Sequence, residues 1–200
     1  MILNTKTELR KLLTELSTYS RMVFSVSTSE NTVGNYIKWS QAEGKDWANP
    51  SLLQQVAQDM WIQLNADVID VEMLSNFQNQ IESVTPDTEQ FRDASASGAL
   101  DSPISIIFAI RCIIGQGTLD DAVECGVHAL FSSDILLSYR NKIASLSLIE
   151  QEQFEKERLI DSTYHLAREW ERQQKVIGLL KNKPKSKLTR VEFYELVKSI

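Results

Sequence analysis

Side chains with chemistry of their own are scarce in this chain. Its 200 residues contain two histidines and two cysteines. The cysteines, Cys112 and Cys125, have no metal-knuckle spacing. No glycine-rich phosphate loop is present: "GQGT" at 115–118 lacks both the later glycine and the Lys-Ser/Thr pair. No apolar run reaches the ~20 residues of a membrane helix, and the longest, "ISIIFAIRCII", is broken by Arg111. The opening "MILNTKTELR" lacks the apolar stretch of a secretory signal. These absences predict a soluble cytoplasmic protein without a resident cofactor, in which the two cysteines stay buried thiols rather than a disulfide. Positive charge is also missing from the middle. Residues 46–134 carry fourteen acids against Arg92 and Arg111 alone. Such a surface repels phosphate backbones and suits a basic protein partner.

What is present is ordinary globular material, 42% apolar and 24% charged, enough for a core and sized for one domain over 1–200. Residues 181–200 reverse the prevailing sign, with six bases and two acids in a chain of net charge −6. The run "KNKPKSK" at 181–187 reads as a basic hinge before a short terminal helix.

Helix signals dominate, and no internal repeat is evident. Asn49-Pro50, Thr85-Pro86 and Ser102-Pro103 each place proline after a good N-cap residue. Thr118-x-x-Asp121, Ser147-x-x-Glu150 and Thr189-x-x-Glu192 read as capping boxes. Apolar residues recur at helical pitch. Leu9, Leu12, Leu13, Leu16 and Val23 make one stripe, Leu52 to Leu64 a second, and Met73 to Val84 a third. The pattern predicts helices at about 5–26, 31–43, 50–65, 70–84, 86–94, 103–115, 119–145, 148–181 and 190–199. Together they form an all-α, compact multi-helix bundle. The 103–115 helix, apolar all round, belongs at its centre.

Both histidines follow a carboxylate by four residues: Glu124 with His128, and Asp161 with His165. That offset puts each pair on one helix face, so the four side chains are the candidate ligands of a metal-dependent enzyme. Against this, a bundle metal site points inward. At 100° per residue Glu124 and His128 fall beside Phe131 and Ile135, to one side of the stripe Leu119, Val123, Val127, Leu130. Asp161 and His165 fall opposite the stripe Leu159, Thr163, Leu166, Ala167, Trp170, Ile177. The preferred reading is exposed helix-supporting pairs.

Other candidates are thinner. Cys125 lies three residues from His128, but no third group is in view to orient a nucleophile and base. The basic run Lys181, Lys183, Lys185, Lys187 and Arg190 could touch nucleic acid, yet it has no interleaved aromatics. The preferred reading is a solvated C-terminal hinge, which could also fold back onto the acidic middle. "SKLTRVEFYELV" looks like the first helix of an EF-hand, but no calcium loop follows it. Trp39 and Trp47, flanking "SQAEGKDWANP", are candidates for a partly exposed aromatic patch.

The order of several segments adds a resemblance. "RMVFSVSTSE", "NYIKWSQAEG" and "LLQQVAQDMWIQLN", followed by "DSPISIIFAIRCII", "TLDDAVECGVHALFSSDILL" and "EWERQQKVIGLLK", resemble the YjaG-like bacterial proteins, domain of unknown function 416, over about residues 8–182. The resemblance implies a compact all-helical bacterial cytoplasmic protein. The family has no established activity, so no functional residue transfers. The resulting expectation is a non-enzymatic interaction module with an acidic surface and a basic protein partner. A metal-dependent enzyme and a nucleic-acid contact through the C-terminal segment are the alternatives. An apolar helix face could also meet a second copy of the chain.

Overall fold

The structure, a computed structural model, describes residues 2–41, 46–87, 94–133, 148–182 and 187–198, and the side chains within them except at 2–4, 94–98 and 148–164. Among the described residues there are helices and no strands. They are α1 (Ile2–Thr14), α2 (Thr18–Ser40), α3 (Pro50–Asn65), α4 (Val71–Ser83), α5 (Ala94–Ile114), α6 (Leu119–Ser132), α7 (Leu148–Asn182) and α8 (Arg190–Lys198). Among the described residues no helix is long and apolar enough to cross a membrane.

The first break falls at 15–17 rather than in the expected gap at 27–30. Ser17 caps α2 by accepting from the Ser20 amide at 3.1 Å. The Ser/Thr-rich stretch at 25–32, which reads as a turn, stays helical because its hydroxyls bond back within the helix. Ser27 Oγ donates to the Phe24 carbonyl at 3.0 Å and Ser29 Oγ to that of Val26 at 3.1 Å. Thr32 Oγ1 donates to that of Ser29 at 2.7 Å. With their polar atoms answered, these small side chains are buried, and α2 packs among α3, α5, α6 and α7.

α3 and α4 form as expected. Pro50 opens α3, and the Asn49 side chain accepts from the Leu52 amide. Asp70 caps α4 through the Met73 amide. Thr85-Pro86 starts no helix there, because the Thr85 hydroxyl instead donates to the Ile81 carbonyl at the end of α4. Most of the predicted 86–94 helix lies outside the described residues. Ser102-Pro103 starts no helix either. α5 already runs from Ala94, with Pro103 inside it. Ile106, Ala109, Ile110, Cys112 and Ile113 of α5 are buried. Its other face is only partly covered at Ile104, Ile107 and Phe108, and Arg111 is exposed. α5 therefore shares the centre with α2.

α5 ends in a reversal. Gln116 and Gly117 take positive φ, 53° and 84°. The Gly117 amide bonds back to the Cys112 carbonyl at 2.7 Å, closing the helix with the six-to-one bond of a Schellman cap. α6 ends at Ser132, and residues 134–145 of the helix expected over 119–145 lie outside the described residues. The Ser133 amide bonds to Leu130 and its hydroxyl to the Ala129 carbonyl; the Ser147 capping box is outside the described residues. On α7 the buried face carries Glu169, Gln173, Val176, Ile177 and Leu180, while Ala167 is exposed. The buried face thus shares Ile177 with the apolar stripe that the sequence suggests but is rotated from it towards Glu169 and Gln173. α8 begins with a reciprocal capping box: Glu192 accepts from the Thr189 amide at 2.9 Å, and the Glu192 amide donates to Thr189 Oγ1 at 3.3 Å. One hydrophobic cluster contains residues from Leu9 to Phe193.

Candidate functional site

Glu124 and His128, two of the four sequence-suggested metal ligands, do not pair with each other. Glu124 is bound by Lys6 of α1. His128 pairs through Nδ1 with Asp101 Oδ1 of α5, at 2.7 Å. Its ring stacks on Phe108 (centroids 5.4 Å apart) and meets the edge of Phe131 at 5.9 Å. His128 is 22% exposed and Asp101 12%, so the expectation of an exposed helix-supporting pair fails. An oriented imidazole with a carboxylate on one nitrogen is the geometry of a general base or metal ligand. His165 is half-buried on α7, and the Asp161 side chain lies outside the described ones. Among the described residues no three His, Cys, Asp or Glu side chains gather to hold a metal ion.

Cys125 is fully buried and bonds to the Ser25 carbonyl and Ser105. Burial pushes its thiol up to about 12 and that of Cys112 to about 11. Neither supplies a thiolate near neutrality, which removes Cys125 as a nucleophile. Both are free thiols, as the composition implies. Trp39 is buried, and Trp47, 38% exposed, lies edge-on to it.

The densest polar construction is one the sequence reading missed. Glu30 sits on the α2 stripe with Val26, Val33 and Ile37, and its carboxylate is 13% exposed. Its Oε2 accepts from the indole Nε1 of Trp61 at 2.9 Å and from the Tyr194 hydroxyl at 2.6 Å. Its Oε1 accepts from Arg190 Nε at 2.7 Å and lies 2.6 Å from Nη2 in an ion pair. The Arg190 guanidinium lies 5.5 Å from the centre of the Tyr194 ring, within cation–π range. Burial, then the Glu30 carboxylate, drives the Tyr194 phenol far above its usual range. The next residue, Asn31, donates to buried Glu169 at 3.1 Å. Glu169 also takes Arg172 in a bidentate pair and Gln173. Two acid-centred networks thus tie α8 and α7 to α2. The signal was legible in principle, since an acid on an apolar stripe must have buried partners.

Two hollows adjoin this hub and share Gln58 and Arg190 in their walls. One is a polar cleft of about 470 Å3, with Glu30, Asn31, Gln54 and Tyr194 beside the shared pair. The other, about 550 Å3, is apolar and lies against Trp61, Ile62, Ala66 and Val191. Ile62 and Val191 of this hollow are 63 and 70% exposed, and Val68 and Val71, at the α3–α4 turn that follows Ala66 of its wall, are 82 and 48% exposed. Asp67, Asp70 and Glu72 are exposed among them.

The nearby bases are engaged. Lys187 donates to the carbonyls of Asn65 and Ala66, at the end of α3, and to Asp67. Lys181 pairs with Glu15 at 2.7 Å. The described part of the basic run therefore folds back onto acids and a helix C-terminus; Lys183 and Lys185 lie outside the described residues.

The comparisons concern the fold. No curated protein matches the chain. The crystal structure of a DUF416 family protein from Shewanella baltica OS155, at 1.91 Å resolution, is similar with a TM-score of 0.67. It shares 19% sequence identity, over 95% of this chain and 91% of that one. The sequence profile of the protein of unknown function family DUF416 matches residues 8–195. That span passes the 182 at which the resemblance read from the segments stopped, and it takes in Arg190 and Tyr194. The chain belongs to the DUF416 family.

Proposed function

We propose that this protein is a non-enzymatic interaction module whose α3–α4 corner binds a basic, amphipathic helix of another protein. The observation that carries the reading is the coincidence of apolar exposure and acidity at that corner. Ile62, Val68, Val71 and Val191 stand open beside Asp67, Asp70 and Glu72. Covering a Val or Ile side chain contributes about 1.5–3 kcal/mol. The apolar hollow by Ile62 and Val191 offers an anchor pocket. The acids favour Lys and Arg on the partner's flanks and speed encounter at low salt. A phosphate backbone or an acidic membrane surface is repelled by the same charges.

The test is affinity capture from nuclease-treated lysate at low salt, with the wild type beside Ile62→Glu/Val68→Glu and Asp67→Lys/Asp70→Lys/Glu72→Lys. A basic partner lost with either variant supports the reading. So does its release at roughly 1 M salt, where screening falls to about 3 Å. Capture that ignores both variants, or no capture above background, refutes it.

A further inference from the structure

We propose that the polar cleft between α2, α3 and α8 is a binding site for a small carboxylic acid, with the Arg190 guanidinium as its charged anchor. The cleft's volume, about 470 Å3, lies in the range of small-molecule sites. Its wall is assembled from three helices that are already bonded to one another, so binding has little to order. Arg190 is held by an Nε–H bond and an Nη2 ion-pair contact to one oxygen of Glu30 and by the face of Tyr194. Fixing a guanidinium in this way reserves its remaining donors for one direction. Arg190 is still 48% exposed, and it lines the cleft.

Glu30 and Arg190 cancel in charge, so it is the free donors that favour an anion. Glu30 does not rely on Arg190 alone, because Trp61 and Tyr194 donate to its other oxygen. Three donors and the Arg190 charge already occupy both its oxygens, so it has little capacity left to bind a ligand's N–H or O–H. The cleft's free donors are the outer N–H groups of Arg190 and the amide N–H groups of Gln54 and Gln58, whose carboxamides also carry an acceptor oxygen each. These glutamines are exposed, one turn apart on the same face of α3, and bond to no described residue. A carboxylate facing Arg190 and Gln58 would gain charge-assisted bonds, with its remaining polar atoms towards Gln54 and Asn31. Gly34 leaves space on the α2 side, since a Cβ built there meets nothing within 4 Å.

The experiment is NMR titration of the full chain with three probes: succinate, glutamate and the neutral succinamide. The readouts are the Arg190 Nε–H and the Gln54 and Gln58 side-chain amide signals. The expected result is a saturable shift of these signals with an acid and none with succinamide. Gln54→Leu/Gln58→Leu, which leaves the Glu30 hub intact, should weaken binding about tenfold or more. Arg190→Gln should abolish it, and Ile62→Glu should leave it unchanged. Absence of saturable shifts with both acids at 20-fold excess over a millimolar range overturns the proposal. So does equal binding of succinamide, or unchanged affinity in the double glutamine variant.

Discussion

Removing the Glu30 carboxylate should cost about 3 kcal/mol of stability, and the structure gives the reason. In Glu30→Ala the Trp61 indole N–H, on a side chain 3% exposed, loses its acceptor, and so does the Tyr194 hydroxyl. Each orphaned buried donor costs about 1–3 kcal/mol. Arg190, half exposed, returns to water, so its lost ion pair adds only about 0–1 kcal/mol. Water entering the vacated space recovers part of the total, leaving roughly 3 kcal/mol. Glu30→Gln keeps a carbonyl oxygen for Trp61 and Tyr194 and should cost about 1 kcal/mol. The assay is urea unfolding followed by tryptophan fluorescence and far-UV circular dichroism, with the slope checked for constancy. A Glu30→Ala/Trp61→Phe double-mutant cycle should return a coupling of about 1 kcal/mol. Hydrogen exchange should quicken in α8 first, because Arg190 and Tyr194 anchor that helix to α2. A Glu30→Ala protein within 0.5 kcal/mol of wild type, or additive single costs in the cycle, would refute the claim that this carboxylate organises the site.

The same substitution at two glycines should move stability in opposite directions. Gly117→Ala places a Cβ 2.3 Å from the Thr18 carbonyl oxygen at φ +84°, for a loss of about 2–4 kcal/mol by urea unfolding. Gly178→Ala, in α7 with nothing within 4 Å, should gain about 0.5–1 kcal/mol. The thiols give a pH dependence. Burial raises them in the folded chain to about 11 and about 12, above the ordinary thiol value of 9.0. The stability they confer is therefore complete below about pH 9 and falls as pH rises towards 11–12. Cys112→Ala/Cys125→Ala should flatten that alkaline decline, measured by urea midpoints from pH 8 to 10.5. Against a thiol reagent at pH 8, the wild-type cysteines should react only as fast as the chain opens.

The helical architecture was readable because its determinants are local. Asn49-Pro50 and Thr189-x-x-Glu192 form caps within a few residues of themselves, and the stripe from Leu53 to Leu64 is buried as its spacing requires. The misplaced boundaries also have a physical pattern. Ser27, Ser29 and Thr32 look like turn residues until their hydroxyls find carbonyls inside the helix. Ser102-Pro103 and Thr85-Pro86 carry the same local signal as Asn49-Pro50. They differ only in what surrounds them.

Partner choice was not local at all. His128 bonds to Asp101 rather than to Glu124, one turn away, because α5 packs on α6 and presents a carboxylate to its ring. Glu124 goes to Lys6, 118 residues distant in sequence. Glu30 meets Trp61, Arg190 and Tyr194 only because α3 and α8 pack against the middle of α2. By itself the sequence determined an acidic, all-helical chain, since composition and periodicity act over a few residues. Tertiary structure decided which charges meet, because a side chain's partner depends on which helices lie side by side.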